Sequence, residues 1–318
     1  MSAHIIALTL GLILDRIIGD PPNWPHPVRW IGSFITKLTS LLNKGKHRKI
    51  KGIVLLISVV AVTFTSVFAV VVTAYKIHII LGIVIESIFC AIGFAQKSLK
   101  DAAMTVYQPL VNGDLKEARA KLSWIVGRDT ETLSESEITR AVVETVSENT
   151  SDGITAPLFF AFLFGAPGLW LFKAVNTLDS MVGHENEKFQ DFGYASAKMD
   201  DVLNYIPSRV TGYIILVWTK NFSKQSLRTR LAKWWQDAKK HPSPNSGYLE
   251  AATAYQLGVQ LGGLNMYKGI PSNRPYMGVS LTPLRAIHIK YTIRQMHIVT
   301  FLFWLMMMVI GGVLRVNA

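Results

Sequence analysis

The segment from Gly52 to Tyr75 constrains the chain more than any other, because it is long, apolar and without a charged residue. A run of about 20 apolar residues is enough for a helix to cross the hydrocarbon core of a bilayer. The segment from His297 to Leu314 has the same character. Since a spanning helix satisfies its backbone polar groups internally, the sequence predicts an all-α, polytopic integral membrane protein.

Four weaker apolar segments raise the predicted number of membrane helices to about four to six. One is interrupted by Glu86, one ends in an acidic and a basic residue, and two contain a basic residue and proline. No internal repeat or linker divides the chain, which predicts a single membrane-embedded domain over residues 1–318 with cytoplasmic helical segments. The predicted membrane segments are residues 5–18, 52–75, 77–95, 154–175, 205–219 and 297–314.

Composition supports this class of protein. Hydrophobic residues make up 50% of the chain and charged residues 17%, whereas about 25% of the residues in a soluble domain are charged. The formal net charge of +12 does not indicate a nucleic-acid partner, because Lys and Arg cluster beside the apolar segments, as in loops that face an anionic leaflet. The single cysteine, Cys90, excludes a disulfide framework and a cysteine-ligated metal cluster.

The basic residues also predict an orientation. The loop from Lys37 to Lys51 contains six basic residues and no acidic one, and short loops of this kind stay in the cytoplasm. Residues 96–153 and 220–240 are then cytoplasmic as well. The sequence therefore predicts a multi-pass protein of the cell membrane whose active site faces the cytoplasm.

The segment 154–175 does not fit a simple crossing. It contains Gly165-Ala166-Pro167-Gly168, and Pro and Gly together break helices. A full crossing would place the polar stretches before and after it on opposite sides of the membrane. We therefore predict a re-entrant hairpin, which is tolerated where its backbone is buried in protein.

The first group of candidate site residues lies on the helix predicted after Ser134. Arg140, Glu144 and Glu148 follow one another at intervals of four residues, which places them on one helix face. Two carboxylates one turn apart repel each other unless a cation lies between them, and Mg²⁺ binds one or two carboxylates together with substrate phosphates. The alternative is a solvated helix face with an ion pair between Arg140 and Glu144.

Two further groups follow along the chain. Lys173, Asn176 and Asp179 lie at the end of an apolar segment. Lys173 either snorkels to the interface or serves the site, whereas an acid such as Asp179 near membrane depth is costly and usually functional. Asp200 and Asp201 precede the next apolar segment and indicate a second cation site.

Three isolated polar residues leave alternatives open. Arg209 lies inside an apolar segment and needs an acidic partner or an anionic ligand. Glu86 is either a proton relay or part of a satisfied hydrogen bond between helices. His26 lies in a polar, proline-rich stretch and is a candidate proton acceptor, although a lone histidine is more often structural.

The chain contains no P-loop, dinucleotide-binding glycine pattern, zinc-ligand spacing or nucleophile elbow. Any use of ATP must therefore depend on Mg²⁺ held by carboxylates and on basic residues. The polar groups together suit chemistry on anionic, phosphorylated substrates at a membrane face.

These residues stand in motifs that resemble the adenosylcobinamide-phosphate synthases of the cobalamin biosynthesis protein CobD/CbiB family. The resemblance covers nearly the whole chain, and the motifs are long and in order. They are Asp15-Arg16, Gly19-Asp20-Pro21, His26-Pro27, Gly127-Arg128-Asp129-Thr130, Glu144-Thr145-Val146-Ser147-Glu148-Asn149, Asp152-Gly153, Asn176-Thr177-Leu178-Asp179-Ser180-Met181-Val182-Gly183, Asp200-Asp201, Asn204-Tyr205-Ile206-Pro207-Ser208-Arg209, His241-Pro242-Ser243-Pro244-Asn245-Ser246-Gly247 and Leu261-Gly262-Gly263.

The resemblance implies an amide-forming ligase. Such an enzyme joins the free propionate of adenosylcobyric acid to (R)-1-amino-2-propanol or its O-phosphate, with ATP as a substrate and Mg²⁺ as the cofactor. The expected partners are these substrates and the lipid bilayer, and a homo-oligomer or an association with other membrane enzymes of the corrinoid pathway stays open. The carboxylate must first be activated, either as an acyl phosphate or as an acyl adenylate, before the amine attacks.

Hypothetical roles follow for the residues of these motifs. Magnesium ligands are expected at Glu144, Glu148, Asp200 and Asp201. Catalytic residues are expected at Asp152, Asp179 and His26. Substrate and phosphate contacts are expected at Arg128, Lys173, Arg209, Asn149, Asn176 and Asn245.

Two other classes of protein fit part of the pattern. A membrane phosphotransferase also uses several carboxylates and Mg²⁺, and Asp152-Gly153 resembles the start of its signature, but Pro157 stands where that signature has Arg. A small-molecule transporter would suit Glu86 and a broken helix. The chain shows no repeated halves, however, and its polar residues cluster at one face.

Overall fold

The computed structural model describes residues 2–20, 25–184 and 186–316. Helices dominate it, which confirms the all-α prediction, and one β-hairpin is added. The helices and the π-helical turn are α1 (Ser2–Ile17), α2 (Pro27–Leu42), α3 (Arg48–Ile77), α4 (Ile79–Gly93), α5 (Gln96–Val111), α6 (Leu115–Leu122), α7 (Glu135–Thr150), the turn Ser151–Thr155, α8 (Ala156–Val182), α9 (Tyr194–Trp218), α10 (Leu227–Ala238), α11 (Ser246–Leu257) and α12 (Ile287–Val316). The hairpin strands are β1 (Gln260–Tyr267) and β2 (Ile270–Gly278).

Four helical stretches within the described residues are long and apolar enough to cross a membrane, which fits a polytopic membrane protein. They overlap the four predicted segments 52–75, 77–95, 154–175 and 297–314. The predicted segment 5–18 corresponds to α1, whose 16 residues span about 24 Å, less than a typical hydrocarbon core. The segment 205–219 forms the second half of α9. The four stretches are Arg48–Ile77, Ile79–Val111, Glu135–Val182 and Ile287–Val313.

The chain groups into two compact units, each built from two separate stretches of sequence. Unit 1 comprises Met1–Lys97 and Asp152–Asn204, and unit 2 comprises Ser98–Ser151 and Tyr205–Ala318. The boundaries fall inside helical segments and not in loops. For this reason no linker is visible in the sequence, and the single membrane-embedded domain stays a prediction.

Helix α8 is the centre of unit 1. It packs against α1, α2, α3 and α4, and its buried side chains include Leu169, Trp170 and Phe172. The Trp170 indole donates a hydrogen bond of 3.0 Å to the carbonyl oxygen of Phe89 on α4. An almost wholly apolar sequence therefore suits α8, because it is surrounded by other helices.

The predicted break in this helix is confirmed at Gly165. Its φ of 68° and ψ of −163° are not helical, and this region of backbone space is essentially restricted to glycine. The break leaves the Ala166 N–H without a helical acceptor, and that N–H donates to Glu86 Oε1 at 3.0 Å. The re-entrant topology itself stays a prediction.

Glu86 has a full set of donors. Its carboxylate is 1% exposed and accepts hydrogen bonds from the Tyr75 hydroxyl at 2.7 Å and the Ala166 N–H at 3.0 Å. The His4 Nδ1 lies 2.7 Å from the same carboxylate. Of the two interpretations of Glu86, this geometry supports the satisfied hydrogen bond between helices.

Substitution of Gly165 by alanine is expected to destabilise the protein by about 1–3 kcal/mol or more, because the backbone conformation is strained for any other residue. The added Cβ would also collide with Glu86 Oε1. Thermal unfolding of the purified variant should show a melting temperature several degrees below that of the wild type. Gly312→Ala is the matched control, since no described atom beyond its chain neighbours and its own helix backbone lies within 4 Å of the Cβ position. Equal melting temperatures for the two variants would show that the broken helix does not require glycine at position 165.

Unit 2 is built around α7 and α11. All twelve residues of α11 are buried, and α7 packs against α6, α11, α12 and β1. The capping box predicted at the start of α7 is confirmed, because the Ser134 N–H donates to Glu137 Oε2 at 2.8 Å while the Glu137 N–H donates to the Ser134 hydroxyl. The sequence placed this helix correctly because a capping box is a local signal.

The hairpin of unit 2 was not expected. Its strands pair antiparallel, with Tyr267 opposite Ile270, and the turn residues Lys268 and Gly269 both have positive φ, as in the tight turns that suit hairpins. The Asp129 carboxylate accepts hydrogen bonds from the N–H groups of both turn residues, at 2.9 and 2.8 Å. Two glycines interrupt β1 and two prolines interrupt β2, and they hide the alternation that would predict the strands.

Candidate active site

In unit 2, α7 and the hairpin hold a buried ion pair between Arg128 and Glu144. The two side chains are 7% and 2% exposed, and Arg128 Nη2 lies 2.7 Å from Glu144 Oε2. The other carboxylate oxygen accepts the Gly262 N–H at 2.9 Å, and Arg128 Nη1 donates to Asn265 Oδ1 at 2.8 Å. Glu144 therefore has a cation and a backbone donor as partners.

Arg140, one turn before Glu144, forms hydrogen bonds with the hairpin instead. Its guanidinium donates to the carbonyl oxygens of Gly262 and Leu264 and to Asn265 Oδ1. Both Arg140 and Glu144 are buried, so the alternative of a solvated helix face is wrong. The ion pair of Glu144 is formed with Arg128, which sequence spacing could not show.

Glu250 on α11 is a site residue that the sequence analysis missed. Its side chain is fully buried, and within the described part of the chain neither carboxylate oxygen has a hydrogen-bond partner. His241 Nε2 lies 3.5 Å and Arg274 Nη1 lies 3.9 Å from Oε1. Burial, together with the charges of Glu144 and Glu148, raises the pKa of Glu250 well above its ordinary value.

Glu250 interacts electrostatically with both Glu144 and Glu148, and these three residues are here called the carboxylate cluster. Glu148 is half-buried and accepts a hydrogen bond of 2.7 Å from the Ser246 hydroxyl. Arg274 interacts electrostatically with all three carboxyl groups, and Arg128, which is bound by Glu144, also acts on Glu250.

His241 adds little positive charge to the carboxylate cluster at neutral pH, because burial lowers the pKa of its imidazole. The three carboxyl groups therefore depend mainly on the guanidinium groups of Arg128 and Arg274 for positive charge. Such a cluster is a suitable place for a bound cation, either Mg²⁺ or the ammonium group of a substrate.

The signal for Glu250 was present in the sequence. It lies in a stretch of small and apolar residues just after the motif that ends at Gly247, and an acid in such a stretch is costly to bury. The motif led to the prediction of Asn245 as a contact residue. Glu250, which lies further along α11, was not predicted because it was taken as part of an ordinary helix.

Arg209 and Asn245 are brought together at the start of α11. The Arg209 guanidinium stacks on the rings of Tyr205 and Tyr248, at 3.5 and 4.1 Å from their centroids, and Nη1 donates to Asn245 Oδ1 at 3.1 Å. An arginine held in this way by aromatic rings is oriented for a planar anionic ligand. The predicted contact residue Asn149, by contrast, donates back to the carbonyl oxygen of Thr145 within α7.

In unit 1, three of the predicted residues meet at Asp200. Asn176 and Asn204 donate to its two carboxylate oxygens at 3.2 and 3.0 Å, and Asp179 interacts with it electrostatically. Burial, followed by the charge of Asp179, raises the pKa of Asp200 to about 7. Its neighbour Asp201 differs, because it forms an ion pair of 3.2 Å with Lys198 and is 27% exposed.

The protein is expected to lose stability as the pH rises from about 4 to about 7. The Asp200 carboxyl keeps its proton up to about pH 7 in the folded state, whereas the unfolded chain releases it near pH 4. In Asp200→Asn, the loss of unfolding free energy between these two pH values should be smaller by about 1–4 kcal/mol. Melting temperatures measured across the range should fall less in this variant than in the wild type. Asp201→Asn is the control, and parallel curves for all three proteins would contradict the assignment.

His26 is occupied by the backbone. Its Nδ1 accepts the Val28 N–H at 3.2 Å as the cap of α2, and its Nε2 lies 3.1 Å from the carbonyl oxygen of Ile92. With both ring nitrogens engaged, His26 is poorly placed to accept a proton from a substrate amine. The catalytic role of His26 stays a prediction, and this geometry argues against it.

Lys173 and Asp152 belong to one charged group in unit 1. The Lys173 ammonium interacts with the carboxylates of Asp152, Asp20 and Asp15, and Lys173 lines a cavity of about 600 Å³. Asp152 lies in the π-helical turn Ser151–Thr155, a type of irregularity that is frequent at functional sites. These two predicted residues therefore share one electrostatic environment.

The described residues contain no group of three or more His, Cys, Asp or Glu side chains with the arrangement of a metal site. They do contain carboxylates that repel each other, namely Glu148 with Glu250 and Asp179 with Asp200. Mg²⁺ prefers oxygen ligands and is usually held by one or two carboxylates together with water and phosphates. The donor atoms at both places fit that ion.

Comparisons with known proteins identify the family. The model of the family described as CobD/Cbib protein matches residues 8–296. The chain is 45% identical over 312 residues to cobalamin biosynthesis protein CobD of Halalkalibacterium halodurans, covering 98% of both chains. It is 45% identical over 296 residues to cobalamin biosynthesis protein CbiB of Salmonella arizonae, covering 92% of both chains. No solved structure matches. The chain therefore belongs to the CobD/CbiB family of cobalamin biosynthesis proteins.

Proposed function

We propose that the protein is an ATP-dependent amide synthase of cobalamin biosynthesis. It joins the free propionate of adenosylcobyric acid to the amine of (R)-1-amino-2-propanol or its O-phosphate, and the product is adenosylcobinamide or its phosphate. The carboxylate cluster of unit 2 is the observation that supports this reaction best. It brings three buried or half-buried carboxyl groups together near Arg128 and Arg274, and a bound Mg²⁺ or ammonium group would stabilise the ionised form of Glu250.

The chemistry explains why several carboxylates and cations are needed together. A carboxylate does not react with an amine at neutral pH, so ATP must first convert the propionate into an acyl phosphate or acyl adenylate. The activated carbonyl is then attacked by the amine, which must lose a proton to a nearby acceptor. Phosphoryl transfer is promoted mainly by positioning and by cations around the phosphate groups.

Residue roles in unit 2 are revised by the contacts described above. Glu148 and Glu250 are the carboxylates that would hold Mg²⁺, and that ion would neutralise charge on the ATP phosphates. Glu144, which is bound to Arg128 and the Gly262 N–H, is better placed to orient Arg128 and the hairpin. Arg209 and Arg274 are the candidates for phosphate contacts.

One residue role in unit 1 changes. Asp179, which the motifs place among the catalytic residues, is proposed with Asp200 as a second place for Mg²⁺, because the two interact electrostatically, and Asn176 orients Asp200. Asp201 is a weaker candidate because Lys198 already neutralises it. Asp152 is the proposed acceptor of the amine proton, and Lys173 is the proposed phosphate contact. The site is proposed to face the cytoplasm, where ATP is present.

The test is an assay of the purified protein in detergent or nanodiscs with adenosylcobyric acid, ATP, Mg²⁺ and either aminopropanol or its O-phosphate. Mass spectrometry should detect an amide product that requires ATP and is accompanied by ADP or AMP. The two nucleotide products distinguish acyl phosphate from acyl adenylate. Absence of the amide with both amines, together with phosphate transfer to a lipid or uptake of corrinoid into vesicles, would favour a phosphotransferase or a transporter.

A further inference from the structure

A second cavity in unit 1, here called the α2 groove, lies between α2, the end of α8 and the segment that follows α8. Its volume is about 540 Å³, and Ile35, Met181, Val182 and Phe189 form its apolar wall. Hydroxyl, amide and ammonium groups of α2 and of the two loops complete the lining. A cavity with this mixture of groups suits an amphipathic ligand.

The α2 groove lies at the end of a membrane segment. The Asn43 amide donates a hydrogen bond of 3.0 Å to the carbonyl oxygen of Lys188, and Lys49 Nζ lies 3.6 Å from Asp191 Oδ1. The uncharged run of α3 then covers residues 52–75. Because these charged residues end where the apolar run begins, the groove is placed at the boundary between lipid head groups and hydrocarbon.

Helix α2 has the features of a helix at a membrane interface. Ile31 and Ile35 are buried in unit 1, where α2 packs against α3 and α8. Trp30 and Leu41 are exposed on the same helix, and Trp is enriched at the interface between membrane and water. A groove beside such a helix is within reach of lipid molecules.

Two buried polar groups of the α2 groove need a ligand. Thr39 Oγ1 and Asn43 Oδ1 are buried and have no hydrogen-bond partner among the described residues. The hydroxyl groups of Thr36 and Ser40 differ, because they donate to carbonyl oxygens of α2 itself at 2.9 and 2.7 Å. A buried polar group without a partner is costly. A ligand that offers both an acceptor and a donor would satisfy both groups, since an amide oxygen only accepts.

The charge of the α2 groove is positive. Lys44 and Lys188 line it, and within the described residues neither ammonium group forms an ion pair with a carboxylate. Lys188 Nζ lies 5.0 Å from the centroid of the Phe189 ring in the apolar wall. Basic pockets of membrane proteins bind the phosphate groups of lipids, so positive charge beside an apolar wall favours an anionic lipid.

We propose that the α2 groove binds an anionic phospholipid whose head group carries a hydroxyl, of which phosphatidylglycerol is a simple example. Lys44 and Lys188 would pair with the phosphate, and the Thr39 hydroxyl would donate to it. Asn43 Oδ1 would accept a hydrogen bond from the head-group hydroxyl, and an acyl chain would lie along the apolar wall. The bound lipid would connect α2 to the end of α8. This role is independent of the proposed reaction.

Native mass spectrometry of the delipidated full chain in a neutral detergent tests the proposal. The protein is titrated separately with phosphatidylglycerol, phosphatidylcholine and glycerol 3-phosphate. We expect one saturable phosphatidylglycerol adduct, with a half-saturating concentration at least about tenfold below that of phosphatidylcholine, which has neither net charge nor a head-group hydroxyl. Glycerol 3-phosphate shares the phosphate and hydroxyl groups but lacks acyl chains, so it should also bind at least about tenfold more weakly.

Variants of the lining separate a specific site from general attraction to anionic lipid. The double variant Lys44→Gln/Lys188→Gln should raise the half-saturating concentration of phosphatidylglycerol at least about tenfold. Thr39→Val should raise it about fivefold, as loss of one hydrogen bond implies. Lys37→Gln/Lys46→Gln is the matched control, because it removes the same charge at two exposed lysines outside the groove, and it should titrate like the wild type.

Three results would overturn the proposal. Equal binding of phosphatidylglycerol and phosphatidylcholine would show that the head group is not recognised. Equal weakening by the Lys44 and Lys188 variant and by its control would show only a diffuse attraction. Binding of glycerol 3-phosphate as tight as that of the lipid would make the site one for a soluble phosphate. Lys44 and Lys188 are exposed, so the melting temperature without lipid should be the same in both double variants.

Discussion

Replacing Glu250 by glutamine is expected to reduce amide formation by about 100-fold or more, while the protein stays as stable as the wild type or becomes more stable. The reason lies in its surroundings. The carboxylate is fully buried and its oxygens lack hydrogen-bond donors among the described residues. A buried charged group without partners lowers stability, so removing the ability to ionise removes that cost. A residue retained at such a cost is expected to serve the site.

The measurement combines the mass-spectrometric assay with thermal unfolding of the same preparation. Glu137→Gln is the matched control, because it weakens the capping box of α7 on the exposed side of unit 2. That control should lose about 1 kcal/mol of stability and keep its activity. The two substitutions are thus expected to give opposite patterns. Wild-type turnover in Glu250→Gln would remove Glu250 from the site, and a large fall in melting temperature would make its role structural.

Replacing Arg128 by methionine is expected to destabilise the protein by about 3–5 kcal/mol, because it leaves the Glu144 carboxylate buried without a cation. Both side chains are more than nine-tenths buried and lie 2.7 Å apart. The double variant Arg128→Met/Glu144→Gln should recover a large part of the loss. Glutamine at position 144 removes the charge but can still accept the Gly262 N–H, which now donates to Glu144.

Denaturant unfolding of the four proteins in a double-mutant cycle measures this coupling. The exposed pair Lys198 and Asp201 provides the comparison, since its side chains are 62% and 27% exposed and such pairs contribute about 0–1 kcal/mol. Additive effects of the Arg128 and Glu144 substitutions would show that the interaction between the two side chains does not contribute to stability. Activity should fall in both single variants, because the hairpin that carries Asn265 is positioned through Arg128.

Local features were predictable from the sequence to within a few residues. The apolar run that forms most of α3, the capping box at Ser134 and the break at Gly165 were all correctly placed. Each depends on residues close together in the chain, through hydrophobic length, a side chain that caps the next turn, or a backbone conformation that glycine alone adopts easily. The sequence also shows directly which charged residues stand next to apolar segments.

The partners of those charged residues were not predictable. Arg128 pairs with Glu144 across 16 positions, and both depend on a hairpin more than 100 residues further on. The hairpin itself was missed because proline and glycine obscure its pattern. Spacing on a single helix left an ion pair between Arg140 and Glu144 as an alternative, whereas the tertiary structure places Arg140 against the hairpin carbonyls.

The sequence by itself determined that this is a membrane protein with carboxylates and cations beside its apolar segments, because hydrophobic length and residue type are properties of the chain. It also carried the motifs of its family. Only the tertiary structure decided which carboxylates lack a partner. Glu86 and Glu250 are both single acids in apolar stretches. Glu86 is satisfied by three groups, whereas neither carboxylate oxygen of Glu250 has a hydrogen-bond partner among the described residues. The cost of burying a charge depends on its neighbours in space, and those neighbours come from distant parts of the chain.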